Sequence, residues 1–247
     1  MNYKFQLGIE CQNFTNFLLN IQSFFNANTE TIHKARNELK LIDYDGVKTV
    51  VKSFKVPHLL NRIVYTYFKK SKAKKSYEYS LKIAMFTPKP IGFIEFYSLG
   101  LLEESYFVSE KFEYDFTIRE PLLEKNFEER EEVFRAFARF TLELHNANIF
   151  HKDYSPGNIL IKKENGTLVF KIVDINRMEF FELDEDKRAL NFSKLWASDE
   201  ILTIMADEYK KHHNCSEEFT KKVLYHSNKN KRIKNFKKRL KGEEVND

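Results

Sequence analysis

The chain has 247 residues, 42% of them hydrophobic and 31% charged, with a net charge of +5 at pH 7. That length accommodates two small lobes or one large domain. The balance excludes a disordered chain, and the positive excess favours acidic partners such as phosphates, nucleic acid or an anionic membrane. Its two cysteines, Cys11 and Cys215, form no ligand or redox motif and point to a reducing compartment. No uncharged apolar run approaches the roughly 20 residues of a membrane helix, and the N-terminal apolar run is too short for a signal peptide, so a protein in the cytosol or at a cytosolic surface is expected.

Residues 3–9 read as a short strand. Over residues 13–25, Phe14, Phe17, Leu18, Ile21, Phe24 and Phe25 recur at i, i+3, i+4, i+7 spacing, which predicts an amphipathic helix with Asn13 or Thr15 near its start. A turn follows at residues 26–29. Residues 31–42 and 46–55 read as two strands around a hairpin loop at 43–46, the second β-branched and carrying Lys48, Lys52 and Lys55. Pro57 ends it. Residues 59–70 are expected to form a short helix or insertion, and residues 71–84 a helix with Glu78 in its middle. After a turn at 87–90 come strands at 91–97 and 105–111. Residues 112–119 read as a hinge, and a long helix over 128–146 shows one apolar face through Val133, Phe134, Phe137, Phe140, Thr141 and Leu144. Further helical stretches cover 185–211 and 216–241. The expected division is 1–112 and 113–247.

Chemistry concentrates at residues 149–161, where His151, Asp153 and Asn158 stand in the pattern H-x-D-x-x-x-x-N. Two apolar runs, 159–161 and 168–173, flank a turn at 164–166 and read as a β-hairpin that ends in Asp174. A loop and a hairpin thereby bring two carboxylates and an amide to one point. Phosphoryl transfer uses such a set. One carboxylate, here Asp153, orients the attacking hydroxyl and takes its proton; an amide oxygen and a second carboxylate, Asn158 and Asp174, hold Mg²⁺ against nucleotide phosphates. Asp and Asn also cap turns, but the full spacing with a strand-end aspartate weighs against that simpler role.

The pattern resembles the catalytic loop and metal-binding aspartate of the protein-kinase-like superfamily. The resemblance implies an α+β bilobal fold, with a small β-rich N-lobe over 1–112 and a mostly helical C-lobe over 113–247. More narrowly, the chain resembles the lipopolysaccharide core kinases, the Kdo and heptose kinase family. The stretches that carry this are 51–55, 71–78, 87–91, His151-Lys152-Asp153 and Asp174-Ile175-Asn176-Arg177. Such a kinase uses ATP and Mg²⁺ to phosphorylate a sugar hydroxyl of a lipid A–core glycolipid. It works in bacteria at the cytoplasmic face of the inner membrane, as a peripheral protein, and is expected to be a monomer that binds no nucleic acid.

The same resemblance assigns a phosphate-gripping lysine to the third strand of the fold. Val50-Val51-Lys52 matches that position, with Lys48 on the same strand face as the alternative. It also assigns a helix glutamate that ion-pairs with this lysine, and Glu78 is the only carboxylate between Lys52 and Glu95. Three departures stand out. No glycine lies between Gly8 and Gly46, so Asn26 and Asn28 are expected to supply the turns of a phosphate loop. The triplet Asp174-Ile175-Asn176 replaces D-F-G, and Ser155 replaces a lysine common in protein kinases. The last two favour a small-molecule or glycolipid acceptor over a protein. His151 is expected to prop the loop. Arg177 is either a contact to substrate or to the neighbourhood of Asp153, or a surface residue. His212 and His213 beside Cys215 read as a solvated helix end.

Two other readings compete: a small-molecule or protein kinase of the same fold, and a nucleic-acid-binding module built on the basic segments 69–75 and 229–241. The second leaves Asp153, Asn158 and Asp174 unexplained. Within the last segment Ile233, Phe236 and Leu240 share a helix face among lysines and arginines, as in helices that lie on anionic membranes.

Overall fold

The computed structural model describes residues 2–34, 37–55 and 58–243. The chain divides into two compact units, Met1–Glu113 with Asp174–Asn176, and Tyr114–Val173 with Arg177–Asp247.

The first unit contains β1 (Asn2–Leu7), α1 (Thr15–Leu19), α2 (Ile21–Ala27), β2 (Thr31–Lys34), β3 (Glu38–Tyr44), β4 (Val47–Lys55), α3 (Leu59–Ile63), α4 (Lys72–Lys82), β5 (Pro90–Ser98) and β6 (Leu101–Glu110). Its six strands form one antiparallel sheet in the order β1-β5-β6-β4-β3-β2. The β3–β4 hairpin closes through Asp45 and Gly46, both at positive φ (54° and 72°), the pairing that matches the twist of the strands. Both sheet faces are covered. On one, Phe14, Phe17, Leu18, Ile21 and Phe25 pack with Val51, Ile91, Ile94 and Val108; each fully buried side chain of this size contributes about 1.5–3 kcal/mol. On the other, Ala73 and Tyr77 of α4 meet Phe54 and Phe93. Gly92 allows β1 to lie close, since a Cβ there would fall 2.5 Å from the Gln6 carbonyl oxygen.

Three expectations change here. Residues 31–42 form not one strand but two, β2 and β3, paired antiparallel. Residues 35 and 36 between them, and Pro57, lie outside the described residues. The helix expected over 13–25 is broken at Asn20, whose side-chain amide donates to the Asn16 carbonyl (3.0 Å) in competition with the backbone ladder. Finally, Asn26 lies inside α2, and Asn28 has extended backbone (φ −81°), so neither supplies a left-handed turn. The end of α2 is instead sealed by Lys40, which is buried and donates to the carbonyls of Phe25 (2.7 Å) and Asn28 (2.8 Å). A cation at a helix C-terminus satisfies both its carbonyls and its dipole.

The second unit contains β7 (Phe116–Thr117), α5 (Arg119–Leu123), α6 (Arg130–Asn146), β8 (Ile149–Phe150), β9 (Ile159–Glu164), β10 (Thr167–Ile172), β11 (Glu179–Phe180), α7 (Glu185–Asn191), α8 (Asp199–His212) and α9 (Phe219–Leu240). The expected hairpin is β9–β10, with β7 on its other side. The helical stretch expected over 185–211 is interrupted: Ser198 starts α8 afresh by accepting from the Ile201 N–H (3.4 Å), and Trp196 just before it has φ 59°. The core runs along α6, where Val133, Phe134, Phe137, Ala138 and Leu144 are fully buried, and Phe137 stacks on Tyr154 of the following loop.

Glu208 of α8 joins α6 to α8. Its carboxylate accepts from Arg135 (3.3 Å) and Arg139 (2.6 Å) of α6, and from Lys211 and His212 (3.1 Å each) on its own helix. Burial raises its pKa, yet these donors hold it at about 2, below its ordinary 4.5. The carboxylate therefore adds stability that is complete above pH 4.5 and is lost as pH falls towards 2. The cations it meets keep some access to water, so Glu208→Gln is expected to cost about 2 kcal/mol at neutral pH. Urea unfolding at pH 7 and pH 3 checks this; the gap between wild type and variant should narrow at the lower pH.

Candidate active site

Helix α6 delivers the chain into β8 and then into the loop that holds His151, Asp153 and Asn158. His151 is buried and spans the loop. Its Nε2–H donates to the Val173 carbonyl (3.0 Å), and its Nδ1 accepts from the Asp153 N–H (3.1 Å), a pattern that calls for the neutral ring. The expected propping role is what the geometry gives it. Behind the loop, the Tyr154 hydroxyl meets the Thr141 hydroxyl (2.9 Å) in the core, and burial pushes the Tyr154 phenol up.

A buried chain of hydrogen bonds holds the loop from below. Arg188 donates to the Tyr209 hydroxyl (2.8 Å), which lies 2.9 Å from His145 Nδ1; His145 Nε2 lies 3.0 Å from Asn191 Oδ1, and Asn191 Nδ2 donates to the His151 carbonyl (2.9 Å). Each link is satisfied when His145 is neutral, and burial indeed lowers its pKa to about 3. The sequence does not disclose Asn191, because nothing local marks a residue that supports a loop forty positions earlier.

Asp153 is positioned through its backbone. Its carbonyl accepts from the Ser155 N–H (2.7 Å) and from Asn158 Nδ2 (2.8 Å), and the Asn158 carbonyl accepts from the Val173 N–H (3.0 Å). The amide oxygen of Asn158 has no donor among the described residues. Both carboxylate oxygens of Asp153 lie 3.0 Å from one nitrogen of Arg177. Arg177 thus touches Asp153 while its own side chain stays 63% exposed.

Asp174, next in the chain after Val173, belongs to the first unit. Its φ of 58° is a left-handed conformation that Asp tolerates better than most residues and that clusters at functional sites. Oδ1 accepts from Asn176 Nδ2 (2.8 Å) and from the ammonium of Lys52. Asn176, in the position of the missing glycine of D-F-G, thus aims the aspartate, a role that its sequence context does not disclose. Lys52 projects on the face of β4 that carries Phe54, its ammonium 5.3 Å from that ring. Its side chain is 12% exposed, whereas that of Lys48 is 67% exposed and meets only Glu113 (3.6 Å) among the described carboxylates.

The expected Lys52–Glu78 pair is not formed. Glu78 takes Lys70, 2.7 Å away and just ahead of α4, while Lys52 takes Asp174. No cluster of three or more His, Cys, Asp or Glu side chains suited to a metal ion occurs among the described residues. The carboxylate of Asp174 in the first unit and the amide oxygen of Asn158 in the second are each of a donor type that suits Mg²⁺, a hard cation that commonly takes one or two protein oxygens and completes its shell with phosphates and water.

These elements define an α+β, protein-kinase-like fold in two lobes. Among solved structures, the chain is similar to one described as WaaP in complex with acyl carrier protein, with a TM-score of 0.61 and 12% identity over 93% of this chain and 99% of that one. At that identity the likeness concerns the fold. No protein-family model matches the chain, and no curated protein matches it.

Proposed function

We propose that this protein is an ATP- and Mg²⁺-dependent kinase that phosphorylates a sugar hydroxyl, of Kdo or heptose, on the inner core of a lipopolysaccharide. The observation that carries the reading is the loop holding Asp153 and Asn158, followed by a hairpin whose last strand leads into Asp174, itself held by Lys52. The fold shared with WaaP supports it. Asp153 accepts the proton of the acceptor hydroxyl and aligns its oxygen for attack on the γ-phosphate. The leaving ADP departs from the opposite side. Asn158 and Asp174 are the residues that hold Mg²⁺, which neutralises charge on the phosphates when bound. Residues 1–112 bind the nucleotide. Lys52, now paired with Asp174, turns to the α/β phosphates as the nucleotide enters.

No described helix is long and apolar enough to cross a membrane. A glycolipid acceptor is instead reached from the surface through α9. Val223 and Ser227 mark the inward face of this helix. Ile233, Phe236 and Leu240 lie on the opposite face, 47%, 62% and 72% exposed, with Lys229, Arg232, Lys237 and Arg239 beside them. Each cation near an anionic bilayer contributes about 1 kcal/mol, enough together for peripheral binding at the cytoplasmic face of the inner membrane.

One experiment tests both parts. Purified protein, Mg·ATP and lipid A–core in anionic vesicles should yield a phosphorylated core by mass spectrometry. The double variant Phe236→Glu, Leu240→Glu should co-sediment less with those vesicles and lose turnover on them. Absence of Mg²⁺-dependent transfer to any lipopolysaccharide core refutes the kinase reading; unchanged sedimentation removes α9 from it.

A further inference from the structure

The inward face of α9 carries a second set of charges that membrane binding does not use. Lys231, Lys234 and Lys238 continue the face of Val223 and Ser227 at i, i+3 and i+7. Lys231 and Lys234 run beside residues 191–197, the last residue of α7 and the stretch that leads on to α8. Asn230 donates to the Ser193 carbonyl (2.8 Å), Lys194 donates to the Asn230 side chain (3.3 Å), and Lys231 donates to the Ala197 carbonyl (2.7 Å). The same segment is tied to the catalytic loop at its other end, where Asn191 donates to the carbonyl of His151, two residues from Asp153.

At the top of this segment sits Trp196, the only tryptophan of the chain. Its φ of 59° is a costly conformation for a bulky residue, on the order of 1–3 kcal/mol. Yet its ring is not used to fill the core. It is 37% exposed, and the ammonium of Lys234 lies 5.0 Å from its centroid. Among the described residues, Lys194, Lys234 and Lys238 have no carboxylate within ion-pair distance. Partial desolvation, then the like charges of Lys194 and Lys238, lower the Lys234 pKa, and the negative charge of Asp153 opposes them. An ammonium thus stands over an exposed indole, Lys194 is held close by through Asn230, and the charge of Asp153 is felt at Lys234.

We propose that Trp196, Lys194, Lys234 and Lys238 form an acceptor subsite for a sugar that bears an anionic group, its ring lying on the indole and its carboxylate or phosphate on the lysines. The proposal rests on the kinase reading for the meaning of Asp153, and it names residues that read the acceptor on the second unit. A pyranose presents an apolar C–H face to an aromatic ring, and a lysine cluster supplies charge-assisted hydrogen bonds to an anion. The strained backbone at Trp196 holds the platform in place, since the bonds on both sides of it fix the segment.

The indole reports on the subsite directly. Emission of Trp196, excited where tyrosine does not absorb, is followed while wild-type protein is titrated without nucleotide with Kdo, glucose 6-phosphate or glucose. A saturable change with Kdo, with glucose 6-phosphate or with both, and a much weaker one with glucose, is expected; the preferred probe tells a carboxylate from a phosphate. Lys234→Gln should weaken the charged probe by about tenfold or more, while Lys125→Gln, the same charge change at an exposed position outside the cluster, should not. An equal response to glucose, no response to any probe, or wild-type affinity in Lys234→Gln overturns the subsite. Lys234 is exposed, so the variant is expected to fold, which circular dichroism checks. Mg·ATP binding and phosphate transfer by the wild-type protein are measured in parallel. Their absence sinks the kinase reading alone, because the titration contains no nucleotide.

Discussion

Asp153→Asn is expected to lower phosphate transfer by about 10²–10⁴-fold, the range for loss of a general base, with little change in Mg·ATP affinity. The substitution keeps the size of the side chain and removes its charge and its capacity to accept the acceptor proton. It should leave the loop intact, because the bonds that hold residue 153 involve its N–H and carbonyl: His151 takes the first, and Ser155 and Asn158 the second. The substitution weakens the ion pair with Arg177, an exposed arginine whose surface pairing adds little to stability. Single-turnover transfer to the acceptor, with nucleotide affinity measured separately, divides chemistry from binding. Near-normal turnover would refute the role given to Asp153.

The α+β fold class was legible in the sequence. So was the placement of Asp153 and Asn158 on a loop and of Asp174 after a hairpin, because that placement depends on spacing along the chain, and spacing is what a sequence displays. The β3–β4 turn was legible for the same reason, since Asp45-Gly46 announces positive φ. The β2–β3 connection was not: Ala35-Arg36-Asn37 carries no glycine or proline, and the β-branched and apolar residues on either side read as one run. The Lys52–Glu78 pair failed on another ground. It was chosen by elimination among carboxylates between two positions in the chain, and the anion that Lys52 meets lies outside that interval, at Asp174. Lys52 was preferred to Lys48 on the match of Val50-Val51-Lys52; the difference in depth, 12% against 67% exposed, is a property that two residues on one strand face do not reveal in the sequence. Asn176, Asn191 and the lysines around Trp196 act through partners that no local pattern marks.

The pairing of Lys52 with Asp174 leads to a second large effect. If Asp174 holds Mg²⁺ and Lys52 holds phosphate, each must leave the other when nucleotide binds, and removing either frees its partner without replacing its function. Asp174→Ala and Asp174→Asn should abolish the Mg²⁺ dependence of nucleotide binding; the Asn variant is the stricter test, because Asn tolerates the left-handed backbone at this position and isolates the loss of charge. Lys52→Ala should retain Mg²⁺-dependent binding but lose turnover by about 10²–10³-fold at saturating metal, the range for removal of one preorganised electrostatic donor. Lys48→Ala, at an exposed residue paired only to Glu113 among the described carboxylates, should stay close to wild type. Calorimetry of ATP with and without Mg²⁺, combined with turnover, reads all four variants. A severe Lys48→Ala beside a mild Lys52→Ala would transfer the phosphate contact to Lys48. Undiminished Mg²⁺ dependence in Asp174→Asn would mean that the metal is held elsewhere, and that the Lys52–Asp174 pair is only part of the scaffold of the first unit.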